Sequence, residues 1–178
     1  MGSRVYSKMR KDEIWGWAMD KKERKIKGRF SDPLFPPSSN GNLYFGNKDA
    51  AKDLTGLETR NIQAIVHVVG KPKFNTIQYL KISLQDTPES DLLHAIEASN
   101  PWIHARLSKG SNVLVHCSGG CSRSPALVCA YLIHLYHFTD QEALQLIRIA
   151  RHAARPNPGF VQQLATFAAL ATGHTDLP

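Results

Sequence analysis

The sequence predicts an α/β protein with a central sheet of four to five mainly parallel strands flanked by helices. Short apolar segments rich in β-branched or aromatic residues alternate with stretches of helical periodicity, and this order is typical of parallel sheets with helical crossovers. A further apolar segment at 113–115 leads into a glycine-containing turn, and an apolar run at 126–132 follows that turn. At 178 residues the chain is long enough to bury the core of one such domain.

The first half of the domain supplies three predicted strands and one helix. Leu43–Gly46 predicts a short strand, and Asn47 is a candidate cap for a helix over residues 48–57, which carry apolar residues on one face. Residues 62–69 are rich in β-branched side chains, as expected for a strand buried on both faces. Residues 77–82 alternate apolar and polar side chains and predict another strand.

A polar loop over residues 83–90 separates these strands from the next helix. That helix is predicted over residues 91–107, interrupted or restarted at Pro101, with Asn100 as a candidate cap. Asp91 stands where the helix begins, so we interpret it as a cap or first-turn charge.

The second half continues with the strand at 113–115 and a helix over residues 126–132. Thr139 and Glu142 have the spacing of a capping box, which predicts a helix that runs to about His152. Residues 155–159 contain two prolines and a glycine and end that helix, and a last helix is predicted over residues 160–171.

Most of the net charge of +7 lies near the N-terminus. Residues 1–29 contain ten Lys or Arg and four Asp or Glu, whereas the other 149 residues contain twelve and eleven. We therefore expect a basic N-terminal extension over residues 1–31, a domain over 32–173 and a short tail over 174–178. The extension either solubilises the protein or contacts acidic partners, a membrane surface or nucleic acid.

Two tryptophans, Trp15 and Trp17, lie within this extension. They predict that part of it packs on the domain, with a partner or membrane surface as the alternative. The chain has no apolar run near the roughly 20 residues of a membrane span and no signal-peptide core. Its three cysteines and eight scattered histidines show neither a disulfide framework nor metal-ligand spacing, so we expect no metal and no cofactor.

Residues 116–125 carry the chemistry. A turn between a strand end and a helix start directs unpaired N–H groups and the positive helix end at one point, which suits an anion, and Gly119 and Gly120 let the backbone wrap closely around it. The Cys117 thiol, placed near a helix N-terminus, is expected to ionise readily, and the planar fork of Arg123 holds two phosphate oxygens. This arrangement predicts attack on phosphorus through a phosphocysteine intermediate.

The order His-Cys, two residues, Gly, one residue, Ser-Arg-Ser resembles the signature of the cysteine-dependent protein phosphatases, dual-specificity branch. The resemblance covers roughly residues 42–166 and implies a small atypical member with that family's fold. It implies that phosphate is bound by Ser118, Gly119, Gly120, Cys121, Ser122 and Arg123.

The leaving oxygen needs a proton, which a carboxylic acid on a loop near the pocket can supply. Asp86 lies 31 residues before Cys117, in a loop directly after a strand, and in the family the general acid occupies this same loop. A plain turn-forming role before Pro88 is the alternative.

Several residues have supporting roles by the same resemblance. His116 braces the loop and helps to keep the thiolate, and Asn157 supports the wall of the site. Ser124 is placed to donate to the cysteine sulfur, or to cap the helix. Cys121 either forms a protective disulfide with an oxidised Cys117 or simply fills the loop.

The expected substrates are phosphoproteins. Tyrosine-only relatives carry an insertion that deepens the cleft, and this chain shows none, which predicts activity on phosphotyrosine, phosphoserine and phosphothreonine. The alternatives are a phosphatase acting on RNA 5′-ends, phosphoinositides or phosphoglycans with the same chemistry, and a phosphate-reading binding module. Family branches that act on inositol lipids or RNA 5′-ends tend to carry basic or special residues inside this loop. Ser118, Gly119 and Cys121 are neutral, which weighs against a lipid substrate. A thiolate enzyme needs a reducing compartment, which predicts the cytosol or the nucleus.

Overall fold

The computed structural model describes residues 10–20, 30–35 and 41–172. Its centre is a four-stranded parallel sheet with the strand order β1-β4-β2-β3, which confirms the predicted fold class. The strands are β1 Leu43–Gly46, β2 Ile62–His67, β3 Gln78–Lys81 and β4 Asn112–His116. The helices are α1 Lys11–Asp20, α2 Leu54–Thr59, α3 Leu92–Leu107, α4 Arg123–Tyr136, α5 Asp140–Ala150 and α6 Pro158–Thr172.

Both faces of the sheet are covered, which explains why the central residues 64–66 of β2 and 113–115 of β4 are all apolar. Alternate side chains of a strand point to opposite faces, so Val113 and Val115 enter the larger core formed with α3 to α6, whereas Leu114 enters the smaller one. The smaller core lies under α2 and a 3-10 turn at Ala50–Lys52. Because all four strands are parallel, their carboxyl ends lie together at one edge of the sheet.

The helix predicted over residues 48–57 is divided in the structure. Asn47 Oδ1 accepts from the backbone N–H groups of Asp49 and Ala50 at 3.1 and 2.9 Å and so starts only the 3-10 turn. Asp53 then accepts from Gly56 N at 3.0 Å and caps α2 separately. Because Asp53 caps a new helix six residues after Asn47, a 3-10 turn and a short α-helix form in place of the single predicted helix.

The predicted interruption at Pro101 is wrong, because α3 is continuous through it. Proline removes one helical N–H and crowds the carbonyl four residues earlier, here that of the exposed Glu97, which solvent can satisfy. Asn100 is buried and donates to Ala130 O at 3.4 Å, so it joins α3 to α4 instead of capping a helix. Asp91 is the N-cap of α3 and accepts from His94 N at 2.9 Å, as predicted.

The capping box is confirmed: Thr139 and Glu142 exchange hydrogen bonds at the start of α5. This helix ends at Ala150, two residues before the predicted end. The last helix starts at Pro158, two residues before its predicted start, because Asn157 Oδ1 accepts from Phe160 N at 3.0 Å and Pro158 suits the first helical position.

Part of the basic extension packs on the domain. Ile14 is fully buried and Ala18 nearly so, both in the larger core, and Lys11 forms an ion pair with Glu142 of α5. The side chains of Trp15 and Trp17 lie outside what the structure describes, as do residues 173–178. None of the helices in the described ranges combines the length and the apolar character of a bilayer span. The domain boundary at residue 32 stays a prediction.

Candidate active site

The loop between β4 and α4 lies at the edge where the parallel strands end. Cys117 directly follows β4, is only 1% exposed, and its N–H donates to Gly46 O at the end of β1 at 3.3 Å. Pro125 stands in the first turn of α4, as predicted. The crevice at the carboxyl ends of parallel strands is where ligands bind in open α/β sheets.

The carbonyl groups of residues 118–121 are all bound by donors that lie outside the loop. The pairs are Lys48 N with Ser118 O at 3.1 Å, Arg151 Nη2 with Gly119 O at 3.4 Å, Arg151 Nε with Gly120 O at 3.3 Å, and Arg155 N with Cys121 O at 2.6 Å. In a trans peptide the C=O and the following N–H point in opposite directions, and the chain has no cis bond among the described residues. Carbonyls held outward therefore turn the N–H groups of residues 119–122 inward.

The inward direction is visible at the sulfur, where Gly120 N donates to Cys117 Sγ at 3.3 Å. Gly120 has a φ of +69°, and a Cβ there would lie 2.6 Å from the Gly46 carbonyl carbon, so this position requires glycine. Gly119 differs from the prediction: its φ is not positive, and an added Cβ would meet only Cys121 Sγ, at 3.7 Å. Only the second glycine is needed for the turn.

Ser124 lies inside α4 rather than at its cap, which is Ser122. Its hydroxyl is 3.3 Å from Cys117 Sγ and 3.2 Å from Gly46 O. One hydroxyl carries one proton, so the sulfur and the carbonyl compete for it. A sulfur that gains negative charge draws the proton away from the neutral carbonyl.

Arg123, the first residue of α4, directs its guanidinium at residues 84–86, and its side chain is 14% exposed. Its Nη1 donates to Leu84 O at 3.4 Å, and its Nε is 3.6 Å from Asp86 Oδ2, an ionic contact too long for a hydrogen bond. Nε is buried and has no hydrogen-bond partner among the described residues. The guanidinium therefore retains donors for the oxygens of a bound anion.

The structure brings Asp86, Ser122 and Asn157 together. Asp86 Oδ1 accepts from Ser122 Oγ at 2.6 Å and from Asn157 Nδ2 at 3.1 Å, and Ser122 Oγ in turn accepts from Asn157 N at 3.0 Å. With two donors on Oδ1, the oxygen that is left to carry a proton is Oδ2. Ser122 was predicted as a phosphate contact, and in the structure its side-chain hydroxyl donates to the Asp86 carboxylate.

The loop that carries Asp86 is also fixed at its far end. Gln163 of α6 donates to Ser90 O at 2.9 Å and accepts from Leu92 N at 2.9 Å. Gly159 lets this helix approach, because a Cβ there would lie 2.0 Å from Pro88 O. The first turns of α6 therefore determine where Asp86 stands.

His116 is buried, and desolvation lowers its pKa to about 4, so the ring is neutral at pH 7. Its Nδ1 faces Cys117 O at 3.4 Å, and because a carbonyl only accepts, the proton is assigned to Nδ1. His67 stacks on it with ring centroids 6.3 Å apart, and burial lowers the pKa of His67 as well. His116 therefore braces the loop through its backbone and brings no positive charge to the sulfur.

Arg151 is the functional residue that the sequence reasoning missed. It follows α5 directly, is 7% exposed, and binds two loop carbonyls with one guanidinium. The signal was present, because Arg151 stands four residues after the buried Ile147 and so continues the apolar face of α5. A charge at an apolar position of an amphipathic helix calls for a partner inside the protein.

The two other cysteines differ in environment. Cys121 is partly exposed, and its thiol donates to Gly119 O at 3.4 Å within the loop, so its redox role stays a prediction. Cys129 is fully buried in α4, where burial raises the pKa of its thiol, which fits a packing role. Within the described residues, no three His, Cys, Asp or Glu side chains are grouped to hold a metal ion.

Comparisons with known proteins agree on one family. Residues 43–169 match the family model described as "Dual specificity phosphatase, catalytic domain". The chain is 40% identical to mouse dual specificity protein phosphatase 15 over 127 residues, which are 70% of this chain and 54% of the relative. It is 39% identical to zebrafish dual specificity protein phosphatase 22-B over 70% of this chain and 69% of the relative.

Solved structures give the same result. The crystal structure of DUSP15 superposes with a TM-score of 0.69 and 35% identity, over 74% of this chain and 86% of that one. The crystal structure of human DUSP28 superposes with a TM-score of 0.70 and 28% identity, over 80% and 99%. The match spans about half the length of mouse dual specificity protein phosphatase 15.

Replacing Arg151 by methionine should disable the loop while the fold persists. The variant keeps the apolar stem but removes the guanidinium donors from Gly119 O and Gly120 O, and the Cys121 thiol is then the donor left to Gly119 O, so the inward N–H groups lose their alignment. We expect kcat/KM for an aryl phosphate to fall by roughly 10²-fold, the scale of losing one oxyanion donor.

The matched control is Arg155→Met, because Arg155 binds the loop through its backbone N–H and its side chain is exposed. Steady-state kinetics and thermal unfolding of both variants make the comparison. Equal activity of the two variants would show that the Arg151 guanidinium does not hold the loop.

Proposed function

The chain belongs to the dual specificity phosphatase family, and from this we propose that it hydrolyses phosphotyrosine and phosphoserine or phosphothreonine in proteins. The single observation that carries the proposal is the loop of inward N–H groups around Cys117, followed directly by Arg123 at the start of α4. A tetrahedral dianion with three non-bridging oxygens matches this set of donors. We also propose the reducing cytosol or nucleus as the compartment, because the thiol must stay unoxidised.

In the first step the Cys117 thiolate attacks phosphorus and the bond to the leaving oxygen breaks. The inward N–H groups of residues 119–122 and the Arg123 guanidinium bind the non-bridging oxygens, whose charge is redistributed in the transition state. Asp86 gives its proton, from Oδ2, to the leaving alkoxide or phenolate. The products of this step are the dephosphorylated side chain and a phosphocysteine.

In the second step water attacks the phosphocysteine, and the Asp86 carboxylate accepts a proton from that water. The sulfur–phosphorus bond breaks, and Cys117 leaves as a thiolate. The Ser124 hydroxyl and Gly120 N are both 3.3 Å from the sulfur and stabilise the negative charge that returns to it. Inorganic phosphate then dissociates, which restores the starting state.

The proposal is tested with phosphotyrosine, phosphoserine and phosphothreonine peptides, compared with an RNA 5′-phosphate and a phosphoinositide. We expect hydrolysis of the peptides, inhibition by vanadate, and a loss of roughly 10³-fold or more in Cys117→Ser, which lacks the nucleophile. The Cys129→Ala variant is the control, since that thiol is fully buried within α4 and alanine adds no polar group to the core. Hydrolysis of only the RNA or the lipid would overturn the substrate assignment, and binding without turnover would indicate a reading module.

Asp86→Asn tests the proton donor separately. Asparagine keeps the hydrogen bonds of the side chain but cannot give a proton, so the effect depends on how much the leaving group needs one. We expect kcat for a phosphoserine peptide to fall by about 10²- to 10⁴-fold, and kcat for 4-nitrophenyl phosphate to fall much less.

The control for this experiment is Asp91→Asn, which preserves the cap of α3 because asparagine also caps helices. It should hydrolyse both esters at the wild-type rate. Wild-type hydrolysis of the phosphoserine peptide by Asp86→Asn would remove Asp86 from the mechanism.

A further inference from the structure

A cavity of about 430 Å³ lies beside the loop between β4 and α4, the phosphate loop of residues 117–122. His116 and Ser118, the residues on either side of Cys117, form part of its wall. The rest of the wall comes from the segment after β1, from the connection between β2 and β3, and from β3 itself: Lys48, Lys52, Val69, Lys71, Lys73 and Tyr79. The cavity therefore adjoins the site of attack without being part of it.

The charge of this cavity is positive throughout. Four lysines line it, and no acidic side chain does. In the part of the chain that the structure describes, none of the four lysine ammonium groups has a carboxylate within 4.0 Å. Residues 30–178 hold twelve basic and eleven acidic residues, so a third of the basic ones cluster here. The neutral His116 adds no charge to the four.

The walls are held in place by the protein's own contacts. The Tyr79 hydroxyl oxygen accepts from the backbone N–H groups of Lys73 and Phe74 at 3.4 and 3.2 Å, and its ring meets the edge of His67. Lys73 Nζ donates to Lys52 O at 3.2 Å, which joins the two segments of the wall. Because Lys48 N donates to Ser118 O, the cavity is tied to the phosphate loop by a direct hydrogen bond.

We propose that this lysine cavity binds a second anionic group of the substrate peptide, a phosphorylated or acidic side chain within about three residues of the phosphoresidue that Cys117 attacks. This inference rests on the proposed function and adds a sequence preference to it. The cavity adjoins the loop, and an extended peptide advances about 3.3 Å per residue, so a nearby side chain on the same peptide reaches it. The apolar wall residues suit the stem of such a side chain, and the ammonium groups suit its charge.

The test compares three peptides that share one phosphotyrosine: one with neutral neighbours, one with a glutamate and one with a second phosphate, each placed in turn at positions one to three on either side. Wild-type protein should show kcat/KM roughly tenfold higher for the best doubly charged peptide than for the neutral one, with the advantage shrinking as salt rises. Hydrolysis of 4-nitrophenyl phosphate, which is too small to reach the cavity, reports the proposed function independently.

The variant to test is Lys52→Met with Lys71→Met, since both side chains are exposed and neither ammonium group forms an ion pair with another residue that the structure describes. It should lose most of the preference while its rate on 4-nitrophenyl phosphate stays within about twofold of wild type. The control is Lys109→Met, an exposed lysine before β4, at the opposite edge of the sheet, which should keep the full preference.

Two results would overturn the inference while the proposed function stands: no preference in wild-type protein, or equal preferences in the lysine variant and wild type. A lysine-dependent advantage seen only with phosphoinositide vesicles would also overturn it, because the cavity would then read a lipid headgroup. If wild-type protein shows no Cys117-dependent hydrolysis of 4-nitrophenyl phosphate or any peptide, the proposed function fails and takes this inference with it.

Discussion

The site depends on how the loop carbonyls are held. Four consecutive carbonyl groups face outward onto donors from Lys48, Arg151 and Arg155, and peptide geometry then turns the N–H groups of residues 119–122 toward one point. Four N–H groups that point at one place repel one another when no anion is bound. They keep this orientation only if the carbonyl groups of the same peptide units are held by other donors. The buried guanidinium of Arg151 does this for two of the four.

The fold explains where these donors come from. Parallel pairing of β1 with β4 places Gly46 beside Cys117, so the segment after β1 supplies the Lys48 amide and the close contact that requires Gly120. The end of α5 supplies Arg151, and the connection to α6 supplies Arg155 and then Asn157. Asn157 caps α6 and donates to Asp86, so one side chain both starts a helix and positions the proposed acid. The connection between α5 and α6 therefore contacts both the loop that carries Cys117 and the loop that carries Asp86.

The sequence predicted the parts whose signal is local. The apolar strand, the turn and the helix around Cys117 could be predicted because each is encoded by contiguous residues. Asp86 was selected because it lies in a loop directly after a strand, where the general acid of the family lies. Arg151 was missed because the apolar face of α5 indicates only that this side chain points inward, whereas the carbonyl groups that it binds are determined by the packing of α5 against the loop. The interruption at Pro101 was predicted wrongly for a related reason. Local propensity favours a helix end before proline, but α3 continues through Pro101, and the tertiary hydrogen bond from Asn100 to α4 cannot be inferred from the local sequence. Gly119 and Gly120 look alike in sequence, and only the approach of Gly46 distinguishes them.

The most direct test of this account is a crystal structure of the chain with vanadate, which adopts the five-coordinate geometry of phosphoryl transfer. The account predicts vanadium bonded to Cys117 Sγ, with its equatorial oxygens accepting from the N–H groups of residues 119–122 and from Arg123, and with Asp86 Oδ2 beside the apical oxygen. Vanadate bound away from the sulfur, or a loop whose N–H groups point elsewhere while the outward carbonyl contacts persist, would contradict it.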